Sequence, residues 1–425
     1  MSTQITMRST AIHRSALFVA LLLCSLTSHG PYVVMTGILL LMAVCISDAK
    51  VREALFSIRC VAFVSLSATA ITACYLWFLA VPHGNASYNL EKSATNNYIF
   101  FLLDIGFVAS FAALISARIG EVTTTVSRLL VLNCSVLLLQ TATLLVGGQY
   151  IDFTKPITGD PSRYQNWESV HPVFGFRPTG MYIEPSTFAA AVGTMAIGYI
   201  LLSRARGKTP ATLPIALTVL SMLITQSAAA VVQAAVLIAA LMVTHSRRTR
   251  AWATAIFALI ALASPGLIAA YINSFMLKID ADSGLRLRLL SYVYEVRHGW
   301  DFLLGYGPFS VEYDLFDVSE HTSTFVASLN DAGLLNFFVV QLGIVGLAIP
   351  LGIFLVMKKD IANLCFFGLL MSSKLSYTSP LLYFGLLPLV LRLGAAQDNA
   401  HSAAGYPGVE VEGGEPDLLL ASRSS

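Results

Sequence analysis

Long apolar runs and short polar segments alternate along most of the chain. Apolar runs of about 17 to 22 residues recur from Met1 to Leu391, and short basic or polar loops separate them. A helix of that length crosses the hydrocarbon core of a bilayer. The pattern therefore predicts an all-α, polytopic integral membrane protein in which residues 1–394 form one transmembrane domain. The twelve predicted spans are 15–28, 31–47, 60–81, 98–117, 129–147, 181–202, 211–225, 228–244, 251–271, 333–356, 361–375 and 380–394.

Two of the apolar stretches are predicted to fold as hairpins of short spans. Residues 211–244 are apolar and lie between basic clusters at 204–208 and 247–250. Both clusters should face the cytoplasm, so an even number of crossings must separate them. A turn at 225–227 satisfies this condition, although spans of about 15 residues require a locally thin bilayer. The stretch 361–394 is expected to turn in the same way, at 376–380.

The composition excludes several classes of protein. Hydrophobic types make up 56% of the 425 residues and charged types 12%, and the mean hydropathy is +0.71. Because ordinary domains carry roughly twice that charge, a soluble enzyme, a nucleic-acid-binding protein and a disordered scaffold are excluded. The net charge of +2 is too small to indicate a polyanionic partner. All six cysteines lie in or beside apolar segments without C-x-x-C spacing, which indicates packing rather than metal or redox chemistry.

The distribution of basic residues predicts the orientation in the membrane. With the twelve spans above, most Lys and Arg residues fall in loops on one side, so the positive-inside rule places both termini in the cytoplasm. Arg8 and Arg14 precede the first apolar run, as in a signal peptide, but no A-x-A-like cleavage site follows, and a retained first helix is expected. Residues 395–425 lack apolar periodicity and are predicted to form a disordered cytoplasmic tail.

Two long loops, 148–180 and 272–324, lie on the opposite, external side and are predicted to form the active site. The first loop ends near Arg177, and Glu184 stands at the start of the next span, directly before Pro185. One interpretation is that Glu184 complements the positive end of the helix dipole. The other is that it lies just inside the bilayer, where an ionisable group needs a partner. Arg177 is the nearest candidate partner.

The second external loop carries Arg286 and Arg288 within a segment, 285–298, in which apolar and basic residues interleave. This spacing fits an amphipathic helix on the membrane surface, with both arginines reaching toward lipid headgroups. However, residues two apart point to different faces of a helix, so one arginine is expected to face protein or substrate. A guanidinium in that position can bind a diphosphate through paired hydrogen bonds. Both interpretations stay open.

Other external side chains suit sugar chemistry. His321, which follows Glu320, is a candidate general base near neutral pH, or an ordinary surface residue. External aromatic residues are candidates for stacking on sugar rings, with Trp300 and Tyr306 foremost, but an interfacial aromatic belt has the same sequence pattern. These aromatic residues are Tyr164, Trp167, Tyr292, Tyr294, Trp300, Tyr306 and Tyr313.

Several of these segments together resemble a known family. An Arg-x-Arg pair in a late external loop, a Leu-Gly-Tyr-Gly turn, a His-Thr-Ser segment and a following Gly-rich span resemble the bacterial O-antigen ligase and Wzy-type polysaccharide polymerase superfamily. The segment Arg-Pro-Thr-Gly-Met-Tyr-Ile-Glu-Pro-Ser resembles the element before the middle span of exopolysaccharide polymerases in that group. The resemblance covers roughly Arg177 to Lys359, and its motifs are loose.

The resemblance implies a C-type glycosyltransferase-like membrane enzyme without metal or other cofactor. It would polymerise undecaprenyl-diphosphate-linked oligosaccharide repeat units into exopolysaccharide or O-antigen at the outer face of the bacterial inner membrane. Arg286, Arg288 and Arg177 are then expected to bind the diphosphate, and His321 or Glu184 to act as base. A chain-length regulator or other polysaccharide assembly proteins are the implied partners.

The sequence departs from the family pattern at two places. The turn of the short hairpin reads Gln226-Ser227, where family members often have Ser-Arg, and Thr322 follows His321, where ligases typically have Asn. The second departure favours polymerase over ligase, which would transfer the glycan to another acceptor. A transporter of the polysaccharide pathway is the third alternative. It is less favoured because the predicted spans are almost free of charged residues and no internal repeat is found.

Overall fold

The computed structural model describes residues 2–80, 88–164, 176–244, 299–305, 307–309 and 333–391, with a few single positions between 266 and 276. All regular elements in these ranges are helices, so the predicted all-α class is confirmed there. Three described helices are long and apolar enough to cross a membrane, or four if a bent pair counts as one span. The other apolar helices have 10–17 residues, and the predicted number of twelve spans is not confirmed.

Most of the predicted spans coincide with helices, although several are shorter than expected. The α-helices are α1 (Ser2–Ser25), α2 (Pro31–Ser47), α3 (Ala49–Leu55), α4 (Ile58–Ala80), α5 (Tyr88–Gly147), α6 (Lys155–Thr158), α7 (Pro185–Ala205), α8 (Thr212–Ile224), α9 (Ala228–Thr244), α10 (Trp300–Leu304), α11 (Leu334–Leu342), α12 (Ala348–Val356), α13 (Ile361–Met371) and α14 (Pro380–Val390). Short 3₁₀ helices occupy Thr27–His29 and Ile344–Leu347. The predicted span 251–271, apart from single positions, and the tail 395–425 lie outside the described residues.

Helix α7 is the central helix of the described body. Almost all of its side chains from Phe188 to Ser203 are buried. It packs closely on α14 because Gly198 lies against the carbonyl group of Phe384, and a Cβ at that position would overlap the carbonyl oxygen. With 21 residues, α7 is about 30 Å long, so its two termini define two opposite ends of the body. We call them the Glu184 end and the Arg204 end.

Both predicted hairpins are present. Helices α8 and α9 are joined at Thr225–Ser227, where Gln226 adopts φ = 52°. Helices α13 and α14 are joined by residues 372–379. Arg177 contacts the first turn and Glu184 the second, so both turns lie at the Glu184 end. Asp360, which precedes α13, contacts Arg204 at the other end.

The predicted spans 98–117 and 129–147 both lie within Tyr88–Gly147 (α5), which a kink at Arg118 divides into two helical segments. Only Arg118 departs from helical geometry (φ = −136°, ψ = 38°). Its guanidinium holds Asp48 with Nε–Oδ2 and Nη2–Oδ2 distances of 2.9 and 2.8 Å. Asp48 itself marks the break between α2 and α3, where the axis bends by 108°. One ion pair therefore links two breaks in the helices.

The predicted span 333–356 is also corrected, because Gly343 interrupts it. Gly343 has φ = 61° and separates α11 from the 3₁₀ helix that precedes α12. The backbone of the 303–307 turn fills the break: the Gly307 N–H donates to the carbonyl oxygen of Gln341 (2.9 Å). Gly305, at φ = 66°, lies so close to the same carbonyl that an added Cβ would overlap it. Leu303, Gly305 and Gly307 thus pack directly against this broken helix.

Candidate functional site

Glu184 is the residue that begins the candidate site. It is the N-cap of α7, with Pro185 in the first turn, as the first interpretation of the sequence predicts. Its side chain, however, makes no capping hydrogen bond to the backbone of the helix. It accepts a hydrogen bond from the Ser186 hydroxyl instead (3.2 Å) and is otherwise occupied by ion pairs. The carboxylate therefore faces away from the helix axis toward the surrounding loops.

Two cations flank this carboxylate. The Arg163 guanidinium contacts Oε1, and the Lys374 ammonium lies 3.7 Å from Oε2. The Glu184 and Lys374 side chains are 20% and 16% exposed, whereas Arg163 is 52% exposed. Arg163 comes from the loop before α7 and Lys374 from the turn between α13 and α14. Three distant segments of the chain thus meet at one carboxylate.

Arg177 lies in the same loop, and its side chain hydrogen-bonds to the tip of the α8–α9 hairpin. Its side chain is 2% exposed, and Nε donates to the carbonyl oxygen of Thr225 (3.0 Å). The side-chain amide of Gln226 donates a hydrogen bond to the Phe176 carbonyl oxygen (3.1 Å). Arg177 therefore ties the loop to the tip of the α8–α9 hairpin, while the ion pairs of Glu184 are with Arg163 and Lys374. The expected pairing of Arg177 with Glu184 stays a prediction.

Backbone contacts bring the two arginines close together. The Arg177 N–H donates to the Tyr164 carbonyl (3.1 Å), and the Arg163 N–H donates to the Ile183 carbonyl (2.8 Å). The segment before residue 165 therefore runs beside the segment that leads into α7. We call Arg163, Arg177, Glu184 and Lys374 the Glu184 cluster. The cluster thus consists of three cations and one carboxylate.

A buried framework fixes the loop that carries the cluster. Gln140, which is 1% exposed, donates to the carbonyl oxygens of Ile151 and Gly180 and accepts from the Gly180 N–H, all within 2.8 Å. Gly180 has φ = 62°, and a Cβ there would lie 2.6 Å from the Phe188 ring. Tyr182 is fully buried and donates to the Ser25 carbonyl at the end of α1 (3.2 Å). These contacts explain why the loop position needs glycine.

Asp152 organises the first part of the same loop. Its carboxylate accepts hydrogen bonds from the backbone and hydroxyl groups of Thr154 and Ser162 and from the Lys155 N–H, at 2.8–3.1 Å. Burial raises the pKa of Asp152, but these hydrogen bonds together lower it below its usual value. His29 lies nearby, and burial lowers its pKa against the opposing effects of the Phe153 backbone and the Asp152 charge.

An aromatic cluster surrounds Tyr377, three residues after Lys374. The Tyr377 ring stacks on Phe338 and Phe101 at centroid distances of 5.3 and 5.6 Å, and its hydroxyl donates to the Gln341 side chain. Phe309, just after the 303–307 turn, packs edge-on against Phe101 (5.4 Å). The aromatic cluster therefore connects the turn that carries Lys374 to Phe309.

The other predicted site residues are only partly placed. Trp300 lies on α10, beside the Ile344–Leu347 helix, and is 75% exposed, which suits either an interfacial or a sugar-stacking role. Arg286, Arg288, Tyr306 and His321 lie outside the described residues. The structure thus brings Glu184 and Arg177 into one region and adds two residues that the sequence analysis did not name as site residues, Arg163 and Lys374.

Lys374 carried a signal that could have identified it. It is a single cation in the turn of a predicted hairpin on the external side, where lysine is disfavoured by the positive-inside rule. Such an exception indicates a local acidic partner. Arg163 offered no comparable signal, because a polar loop normally contains charged residues.

Asp104 is a second ionisable group of interest because it is buried. It lies within α5 and is 4% exposed, and neither carboxyl oxygen has a hydrogen-bond partner among the described residues. A buried ionisable group without a partner is costly inside a membrane and commonly marks a functional position.

Comparisons with known proteins identify no relative: no family model, no curated protein and no solved structure matches the chain. In the part of the chain that the structure describes, no group of three or more His, Cys, Asp or Glu side chains is close enough to hold a metal ion.

Proposed function

We propose that this protein is a membrane glycosyltransferase that polymerises undecaprenyl-diphosphate-linked oligosaccharides into exopolysaccharide or O-antigen. The observation that carries the proposal is the Glu184 cluster, in which Arg163 and Lys374 flank one carboxylate and Arg177 binds the neighbouring Thr225 carbonyl. Cations held by a rigid loop at the end of a helical membrane body suit the diphosphate of a lipid-linked sugar. The reaction that we propose is the one implied by the family resemblance.

In the proposed topology, twelve spans place the Glu184 end at the outer face of the bacterial inner membrane and both termini in the cytoplasm. The two described hairpin turns at the Glu184 end and the Arg204–Asp360 pair at the other end agree with the alternation that this topology requires. The lipid chain of the substrate would lie among the apolar helices while its diphosphate reaches the cluster.

The proposed reaction is a single displacement. A hydroxyl of the acceptor sugar attacks the anomeric carbon of the glycan, a new glycosidic C–O bond forms, and the C–O bond to the diphosphate breaks. The diphosphate leaves with the bonding electrons, the hydroxyl proton passes to a base, and the anomeric configuration inverts. The protein has to align the two substrates and compensate the charge on the leaving group.

The residues have distinct roles in this proposal. Arg286 and Arg288 bind the diphosphate together with Arg177, and Trp300 and Tyr306 contact sugar rings. Because both oxygens of Glu184 are engaged by cations, we favour His321 as the base and Glu184 as the residue that positions Arg163 and Lys374. A ligase would use the same machinery with a different acceptor.

The transporter alternative has one specific observation in its favour, the unpartnered carboxyl of Asp104 inside α5. Proton or cation coupling in transporters uses carboxyl groups in such positions. The Glu184 cluster, which lies at the end of the body, is not explained by that alternative, and the polymerase remains our proposal.

The decisive experiment compares cell-surface and lipid-linked glycans, by gel and mass spectrometry, with and without this protein in its native host. Polymerase activity predicts loss of long chains and accumulation of single lipid-linked repeats. Long chains that persist on undecaprenyl diphosphate would indicate a ligase, and unchanged pools would contradict both enzymatic functions.

Lysine variants of Arg286 and Arg288 test their proposed role in the same glycan assay. Arg288→Lys keeps the charge but loses the two-pronged geometry, so polymer yield should fall markedly at normal protein level. Arg52→Lys, on α3, is the matched control and should leave the yield unchanged. Full activity in both Arg286→Lys and Arg288→Lys would remove the diphosphate role of this pair.

A further inference from the structure

A basic cleft lies at the Arg204 end, about 30 Å along α7 from the Glu184 cluster. Its volume is about 670 Å³, and it lies between the α7–α8 loop and the segment that leads into α13. The cleft is lined by Arg204, Gly207, Lys208, Thr209, Pro210, Lys359, Asp360, Ile361 and Ala362. The cleft therefore lies at the opposite end of α7 from Arg163, Glu184 and Lys374.

The charges of the cleft are only partly compensated. Arg204 is held by Asp360 (3.1 Å) and by the side-chain oxygen of Asn363 (3.2 Å). The Asp360 carboxylate also caps α13 by accepting a hydrogen bond from the Asn363 N–H (2.8 Å). Both of its oxygens are therefore bonded, one to Asn363 and one to Arg204. Lys208 and Lys359 are exposed, and the Lys359 ammonium lies 5.4 Å from the centre of the Phe354 ring. Neither lysine of the cleft forms an ion pair with another described residue.

The surface beside the cleft is apolar. Ile361 lines the cleft and is 66% exposed, and Leu213, three residues after Pro210, is 64% exposed. In a membrane protein, exposed Leu and Ile side chains at the end of helices face the acyl region of the bilayer. A ligand that fits both surfaces carries negative charge at one end and an apolar chain at the other.

We infer that this cleft binds the phosphate headgroup of an anionic phospholipid. Basic pockets between membrane helices bind such headgroups because each Lys near the surface adds attraction for the lipid phosphate. The phosphate chemistry would also suit a soluble phosphate ester, but the neighbouring Ile361 and Leu213 favour the lipid. The inference does not depend on the proposed polymerase activity, since no catalytic residue takes part.

The test uses the full-length protein in vesicles of phosphatidylcholine with increasing fractions of phosphatidylglycerol. Phosphatidylglycerol retained by the purified protein is counted by native mass spectrometry for Lys208→Gln combined with Lys359→Gln. The control combines Lys50→Gln with Lys358→Gln, two exposed lysines outside the cleft, and removes the same charge. Thermal unfolding in pure phosphatidylcholine verifies that each protein is folded, and the single variants replace the double variant if it is not.

The expected result is a loss of phosphatidylglycerol affinity of roughly fivefold for each cleft lysine, with the control unchanged. Equal retention by the cleft and control variants would overturn the inference. Inorganic phosphate is tested separately, without anionic lipid. If it alone raises the unfolding temperature, and does so only when Lys208 and Lys359 are present, the site takes a soluble phosphate and the lipid assignment is wrong.

Discussion

Lys374 and Glu184 meet with Nζ and Oε2 3.7 Å apart, although one lies in the turn between α13 and α14 and the other at the start of α7. Both side chains are more than three-quarters buried, and Ser186 and Arg163 complete the surroundings of the carboxylate. The ion pair connects a hairpin to the loop that carries Arg177. It is therefore the contact on which the geometry of the candidate site depends.

Removal of this lysine should impair the proposed activity more than the fold. Lys374→Met deletes one of the cations that flank Glu184, and we expect polymer formation to fall on the order of tenfold, because one preorganised charge is lost. Lys358→Met is the matched control, an exposed lysine at the opposite end. Polymer length and yield in cells, normalised to protein level, provide the measurement. Wild-type yield from Lys374→Met would remove the Glu184 cluster from the proposed site.

Alanine variants of two glycines with similar φ angles distinguish the cost of steric overlap from the cost of a strained backbone. Gly305 (φ = 66°) touches the Gln341 carbonyl, whereas Gly299 (φ = 62°) has nothing within 4 Å of an added Cβ. Gly299→Ala should cost about 1 kcal/mol for the left-handed conformation alone. Gly305→Ala should cost several times more, because the 303–307 turn can no longer fill the break at Gly343. Thermal unfolding of the two variants in detergent measures the difference, and equal shifts would contradict the contact.

The pKa of His29 predicts a specific acid sensitivity. Because burial lowers that pKa in the folded state, the unfolded chain binds the proton more readily. The contribution of His29 to stability is complete above the unfolded value of about 6.5 and is lost as the pH falls through the folded value. His29→Asn should therefore flatten the decline of stability below about pH 6.5. Unfolding temperatures at a series of pH values measure this, and parallel curves for both proteins would refute it.

Asp104 distinguishes the enzyme from the transporter. Asp104→Asn keeps the shape of the side chain and removes a charge that would be costly without a partner, so stability should be unchanged or higher. If the protein is a polymerase, glycan chain length should also be unchanged. Accumulation of a lipid-linked or soluble substrate on one side of the membrane in this variant, with normal chain length, would support the transporter.

Local patterns predicted the helices and hairpins better than the contacts between distant segments. The α8–α9 turn follows from two basic clusters that bracket a stretch too long for one span. In contrast, the break at Gly343 depends on the backbone of the 303–307 turn, which no periodicity reveals. The pairing of Glu184 with Arg163 and Lys374 likewise requires three separate segments to meet. Arg177 was predicted as a site residue from its proximity in sequence, and the contact of its Nε with the Thr225 carbonyl could not be foreseen in the same way.

The ion pair between Asp48 and Arg118 has a consequence for biosynthesis. The two residues are 70 positions apart in the chain, so Asp48 and the α2–α3 bend emerge from the ribosome well before Arg118 does. During that interval its available partners include the backbone N–H groups of Lys50 and Val51 and the imidazole of His13, which lies 4.0 Å away in the folded protein. The bend at α3 and the kink in α5 become fixed together, when Arg118 arrives. The contact between these two breaks therefore cannot form before α5 has been synthesised as far as Arg118.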